Sequence, residues 1–227
     1  MLINCDIGER GVAHEIDDAL MADIDIANIA CSGHAGDAES IAYYLDLAQQ
    51  FQVKATAHLS YKDRANFGRK VMPISTKQLL HDLDAQYALI SSLKSVKLHG
   101  ALYNHANITQ ALAITLASWL RKSGITEVLT QHNSSFDIAC QDQGIHVFHE
   151  AFLDRRYIFQ DNQLKLAPRS QDNAVIHDVN LAKQQYDDFK KGYVNIDNKS
   201  YPLKADTLCI HSDSPSALSI LKAIKGV

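Results

Sequence analysis

Seven short apolar runs in this chain each stop at a polar residue able to do chemistry, and that recurrence constrains the fold more than any other feature. LINCD ends at Asp6, IDIANIACSGH at His34, VKATAH at His58, SVKLH at His99, EVLTQ at Gln131, HVFHE at Glu150 and TLCIH at His211. A reactive side chain is held best at the end of a rigid strand, and in parallel α/β folds ligands gather at the carboxyl ends of the strands. The pattern predicts one polar site assembled from many parts of the chain, and with it an enzyme or one component of an enzyme.

Helical periodicity fills the spaces between these runs. Asp37–Phe51 carries Ile41, Tyr44, Leu45 and Ala48 on one face, with Asp37 placed as its N-cap. Ser75 with Gln78 forms a capping-box signature ahead of Leu79, Leu83, Tyr87 and Ile90. Further helices are expected over Thr109–Lys122 and Ser134–Gln143, and from a cap at Asn180 to before Gly192. A last one is expected to open at Ser214-Pro215. Two hairpins break the alternation, one over Tyr157–Leu166 turning at Asp161-Asn162 and one over Val194–Leu203 turning at Asp197-Asn198. Repeated βα units give a parallel sheet, so the expectation is an α/β fold, a (β/α) barrel of about seven parallel strands with small hairpin insertions. An open doubly wound sheet is the alternative.

At 227 residues and 46% hydrophobic composition, residues 1–227 suit a single barrel domain with a substantial core. The net charge is −4 and no Lys/Arg-rich block appears, which argues against nucleic-acid binding. The chain opens on the strand-like LINCDIG without a leader, and no apolar run approaches bilayer length, so a cytoplasmic protein with no membrane partner is expected. Cys5, Cys31, Cys140 and Cys209 form no CxxC pair and read as buried free thiols.

Several familiar chemistries are absent. There is no GxxxxGK[ST] phosphate loop, no GxGxxG after the first strand and no GxSxG elbow. The residues present are His, Asp, Glu, Lys and Arg. In NCDIGE, Asn4 and Asp6 share a strand face and Glu9 follows on the loop, so Asp6 is placed to ligate a metal, to act as a base, or simply to brace the loop. ACSGHAGD presents His34 between two glycines. In KLHGALYN, Lys97 and His99 project from the same side of a strand, and a buried Lys97 needs an anionic partner, catalytic or structural. Glu150, Asp154, Arg155, Arg156 and Arg169 follow, one of the arginines being suited to grip a carboxylate. His177, Asp178, His211 and Asp213 complete the set, whereas His14, His81, His105 and His132 read as bystanders.

INCDIGE, ANIACSGHAGD, NFGRKVMPIS, VKLHGALYN, EAFLDRRY, LAPRSQDNAVIHD and LKADTLCIHSD, in that order from residue 3 to about residue 213, resemble the LamB/YcsF family, the A subunits of prokaryotic 5-oxoprolinases. The resemblance implies a seven-stranded, deacetylase-like (β/α) barrel. It also implies ATP-dependent opening of the lactam 5-oxo-L-proline to L-glutamate, in company with B and C subunits. Where the family reads GFHAGD, AHPGYPD, KPHGALYN and HGD, this chain reads CSGHAGD, AHLSYKD, KLHGALYN and HSD. The charged and imidazole residues survive these changes while the Pro/Gly framework shifts.

Phosphorylation of the lactam oxygen would make a stable amide a better electrophile for water. Such a site needs proton transfer, positive groups for developing charge and an anchor for the substrate carboxylate. The residues expected to serve are Asp6, His34 or His58 for proton transfer, Lys97 and His99 for charge stabilisation, and Arg155 or Arg169 for anchoring. Asn4, Glu9, Tyr103 and His211 complete the expected substrate-binding set. Two rival readings remain at this point. One is a metal-dependent amide hydrolase or deacetylase without ATP, its divalent ion held by Asp6, His34 and His58. The other is a substrate-binding subunit with no chemistry of its own.

Overall fold

All seven apolar runs form strands, in the order β1 (Leu2–Ile7), α1 (Glu15–Met21), β2 (Ile26–Ala30), α2 (Ala38–Phe51), β3 (Lys54–Leu59), α3 (Thr76–Ala88), β4 (Ser95–Leu98), α4 (Gly100–Ile108), α5 (Gln110–Lys122), β5 (Glu127–Thr130), α6 (Ser135–Asp142) and β6 (His146–Phe152). Two hairpin arms follow, β7 (Tyr157–Gln160) with β8 (Gln163–Leu166) and, after α7 (Val179–Lys190), β9 (Tyr193–Ile196) with β10 (Lys199–Pro202). Strand β11 (Thr207–His211) and helix α8 (Ala217–Lys225) end the order. The structure is a computed structural model that describes residues 1–160 and 163–226. The expected turn at Asp161-Asn162 lies outside them.

The strands pair in the order β1-β11-β6-β5-β4-β3-β2 and close into a barrel. Every barrel pairing is parallel, and β1 bonds to both β2 and β11, so the open-sheet alternative is set aside. Alternation divides the strands between two environments. Ile3, Cys5, Ile7, Ala27, Ile29, Ala57, Val96, Leu98, Val128, Leu208 and Ile210 enter the apolar core with the helices. The residues between them, Asn4, Asp6, Asn28, Thr56, His58, Ser95, Lys97, Glu150 and Thr207, are buried and polar and meet one another across the barrel. The apolar core therefore lies outside the barrel wall and a hydrogen-bonded polar column lies inside it.

Side-chain caps mark the starts of α2, α3, α6 and α7. Asp37 caps α2 in a reciprocal box with Ser40, and Ser75 and Ser134 accept from the N–H of Gln78 and Asp137. The expected caps of the last two helices are corrected. Asp178, not Asn180, caps α7, because its Oδ1 accepts from the Asn180 and Leu181 amides at 2.8 and 3.0 Å. Ser214-Pro215 forms a turn, with Ser214 N–H donating to the His211 carbonyl, and α8 begins only at Ala217. Helices α1 and α4 are additions to the sequence-based order. The second hairpin turns at Asp197-Asn198 as expected, both residues having positive φ.

Candidate active site

The carboxyl ends of β1, β2, β3, β4, β6 and β11, with the loops that follow, bring Asp6, Glu9, His34, His58, Lys97, His99, Glu150 and His211 into one buried mouth. Two networks share it.

The first is centred on Lys97, only 2% exposed. Its Nζ lies 2.8 Å from Asp6 Oδ1, 2.9 Å from Glu150 Oε1, 3.1 Å from Asn4 Oδ1 and 3.1 Å from Cys209 Sγ. Burial alone would lower the pKa of this ammonium, but Asp6, the Cys209 sulfur and Glu150 outweigh it and hold it above lysine's usual value. Asp6 answers in the opposite direction: burial would raise it, but His58 and Lys97 keep its carboxyl well below the ordinary range. Asn28 donates to both Asn4 Oδ1 (2.8 Å) and Asp6 Oδ1 (2.9 Å), and Asn4 donates to Thr207 (3.0 Å). Asn28 is thus a hub that motif reading passes over, its one signal being a lone amide inside the apolar run IDIANIA. Tyr103 is buried, and its phenol is pushed up by burial and by the charge of Glu150.

The second network is a cluster of imidazoles. His34 Nε2 lies 2.8 Å from Glu9 Oε1, and His58 Nε2 lies 3.0 Å from His99 Nδ1 and 3.3 Å from Asp6 Oδ2. His99 Nδ1 is 3.3 Å from Glu9 Oε1, and the His34 and His99 rings stack with centroids 3.6 Å apart. Burial, reinforced by the neighbouring imidazoles, pushes His34 and His99 down. Burial and the nearby Asp6 charge push the Glu9 carboxyl up to about 7. The loop over the cluster needs glycine at position 68, where φ is +62° and a Cβ would stand 2.9 Å from that of His34.

At the rim, His211 Nδ1 lies 2.8 Å from Asp154 Oδ1, and the Asp154 carboxylate also accepts from the His211 amide. Burial would lower the His211 pKa, yet the charge of Asp154 raises it. Arg69 meets Asp213 at 2.8 Å and Arg169 lies 3.9 Å from the same carboxylate. Arg155 is placed differently: its guanidinium donates to the carbonyls of Ala167 (2.7 Å) and Ala174 (3.4 Å), bracing the segment before α7. Arg69, inside NFGR, is missed by sequence reasoning because nothing in a lone surface-type arginine marks it as a rim residue.

The donor atoms of Glu9, His34, His58 and His99 all lie within 4.8 Å of one another, close enough to hold a metal ion, as do those of Asp6, Cys209 and His211 and those of His132, Asp137 and His149. Of the expected metal candidates, His34 and His58 fall in the first group with Glu9 and His99, whereas Asp6, one oxygen turned to Lys97, falls in the second.

The LamB/YcsF family model matches residues 1–227. A protein of Mycolicibacterium gilvum (strain PYR-GCK), named as the A subunit of 5-oxoprolinase, is 33% identical, the match covering 98% of this chain and 92% of the relative. One of the same name from Campylobacter jejuni (strain 81-176) is 34% identical, with 98% and 91% covered. Among solved structures, the lactam utilization protein from Thermus thermophilus superposes with a TM-score of 0.85 at 26% identity, over 100% of this chain and 96% of that one. The chain therefore belongs to the LamB/YcsF family.

Proposed function

We propose that this chain is the lactam-handling subunit of an ATP-dependent 5-oxoprolinase, opening 5-oxo-L-proline to L-glutamate together with B and C subunits. The observation that carries the reading is the set of groups gathered at the carboxyl end of the barrel: a fixed ammonium, a hydrogen-bonded Asp–His pair and two arginines at the rim. The names of the relatives support it.

The residues divide the work by position. Arg169 and Arg69 stand at the rim, where a substrate carboxylate arrives, and Arg169 takes the anchoring role because Arg155 is committed to carbonyls. His211, its pKa raised by Asp154 against the lowering by burial, is placed to offer its remaining N–H to the departing lactam nitrogen as a general acid. Asp6, kept ionised by His58 and Lys97, is a base facing the imidazole cluster, 3.3 Å from His58. Lys97 supplies positive potential for charge that develops on the amide oxygen, and it is oriented by Asn4 directly and by Asn28 through Asp6. ATP would be handled with the partner subunits, in keeping with the missing phosphate loop.

The test is glutamate formation from 5-oxoproline with ATP, comparing this chain, the partner subunits, and the complete mixture. Glutamate in the complete mixture alone, lost when His211 is replaced by Ala, is the expected result. No glutamate from any mixture of folded subunits would overturn the reading and turn attention to amide hydrolysis without ATP.

A further inference from the structure

The two central imidazoles of the cluster are oriented from behind by the backbone. His58 Nδ1 lies 3.2 Å from the Lys97 carbonyl and His99 Nε2 lies 3.0 Å from the Phe67 carbonyl. A carbonyl only accepts, so each of these nitrogens carries the hydrogen. The opposite ring nitrogens, His58 Nε2 and His99 Nδ1, face each other at 3.0 Å with Glu9 Oε1 at 3.8 and 3.3 Å. Such a convergence of nitrogen and carboxylate atoms calls for a cation or a shared proton between them.

The local charge points the same way. Asp6, Glu9 and Glu150 bring three carboxyl groups to the mouth, and Lys97 is the cation that touches Asp6 and Glu150. We propose that Glu9, His34, His58 and His99 form a binding site for one divalent ion of the zinc class.

The spacing suits such an ion, and binding it would turn the His34 ring out of its parallel stack on His99, because the in-plane lone pairs of parallel rings do not converge. Ligands about 2.0–2.1 Å from a tetrahedral centre stand roughly 3.3 Å from one another. The separations here are 2.8 Å (His34–Glu9), 3.0 Å (His58–His99), 3.3 Å (His99–Glu9) and 3.8 Å (His58–Glu9). Imidazole and carboxylate donors favour zinc, cobalt or nickel over magnesium or calcium. Backbone carbonyls behind two of the three histidines fix their tautomers, as outer-shell partners do in metal sites. The other histidine cluster, His132, Asp137 and His149, is weaker: it has three donors, and Asp137 already accepts from the Asn133 amide and Gln141. The ion would sit in the mouth assigned above to the lactam, so its role there rests on that reading, whereas its binding is measured without turnover. When bound, it supplies a Lewis acid able to polarise a carbonyl or acidify a water.

The full chain, stripped with chelator and dialysed, is titrated with Zn²⁺ by calorimetry and with Co²⁺ by visible absorption. Glu9→Gln, His34→Asn and, as the control for the second cluster, His132→Ala are titrated beside it. The expected result is one tight equivalent in the wild type and in His132→Ala. In Glu9→Gln and His34→Asn the affinity should fall beyond the roughly 10–100-fold that outer-shell changes cost. Zinc-edge X-ray absorption of the loaded wild type should count three imidazoles, which decides the matter even if a variant fails to fold. No saturable binding, binding lost in His132→Ala, or two imidazoles would overturn the proposal; the first of these would leave a shared proton between His58 and His99.

Discussion

His211 acquires its chemistry from the residue behind it. Asp154 is fully buried, 2.8 Å from the ring and bonded also to the His211 amide, so the imidazolium is fixed in place as well as stabilised. The consequences for pH have a definite sign. His211 is raised, so its contribution to stability is complete below an unfolded histidine's pKa of about 6.5 and is lost as pH climbs through the higher folded value. Asp154 is lowered, burial notwithstanding, by the charge of His211, so its contribution is complete above about 3.9 and is lost as pH falls through the lower folded value. Between those limits the pair stands intact. Asp154→Asn should move the His211 titration downward in an NMR pH series and remove the fall in stability above about pH 6.5. An unmoved titration would show that some other group holds the charge. The dyad itself is not legible in the sequence: EAFLDRRY offers Asp154 as one charge among several, and its partner lies 57 positions away.

At the scale of elements, the chain reveals its strands more readily than its helix boundaries. Apolar runs ending in polar residues are strong signals, and all seven are barrel strands. Boundaries depend on which side chain reaches which amide, a matter of one or two residues. In HDVN, Asp178 and Asn180 are both good caps, and the structure gives the role to Asp178. Asp178→Ala should therefore cost about 1 kcal/mol in urea unfolding, while Asn180→Ala should cost a few tenths at most. The reverse order would return the cap to Asn180. Helix α4 is hard to foresee because HGALYN reads as the end of a strand; the chain turns at Gly100, whose φ is +54°, and is helical at once. The convergence of Glu9 with three histidines is equally hidden, since it depends on loop paths that no spacing records.

The whole molecule carries a polar axis through its barrel, and the two ends of that axis are built for different purposes. At the amino end Lys54 pairs with Glu127 and lies 4.4 Å above the Phe148 ring, both charged groups being about a third exposed. At the carboxyl end Lys97 is enclosed. Function at the carboxyl end and stability at the amino end is the general rule for such barrels. Lys54→Met should change unfolding free energy by no more than about 1 kcal/mol and leave glutamate formation intact. Lys97→Met, which strands two buried carboxylates, should cost about 3–5 kcal/mol and abolish activity. Equal costs at the two ends would mean that the interior column is uniformly solvated.

Closure of the barrel also sets a schedule. Strand β1 is made first, yet its second neighbour is β11, and Asn4 donates to Thr207 from 203 residues away. Asn4 and Asp6 are thus placed beside Thr207, Cys209 and His211 only when β11 arrives. A polypeptide still emerging from the ribosome has its apolar faces but no finished seam, and it must be kept from pairing the raw edges of β1 with another copy until synthesis ends. In birth order, the mouth waits for its seventh barrel strand.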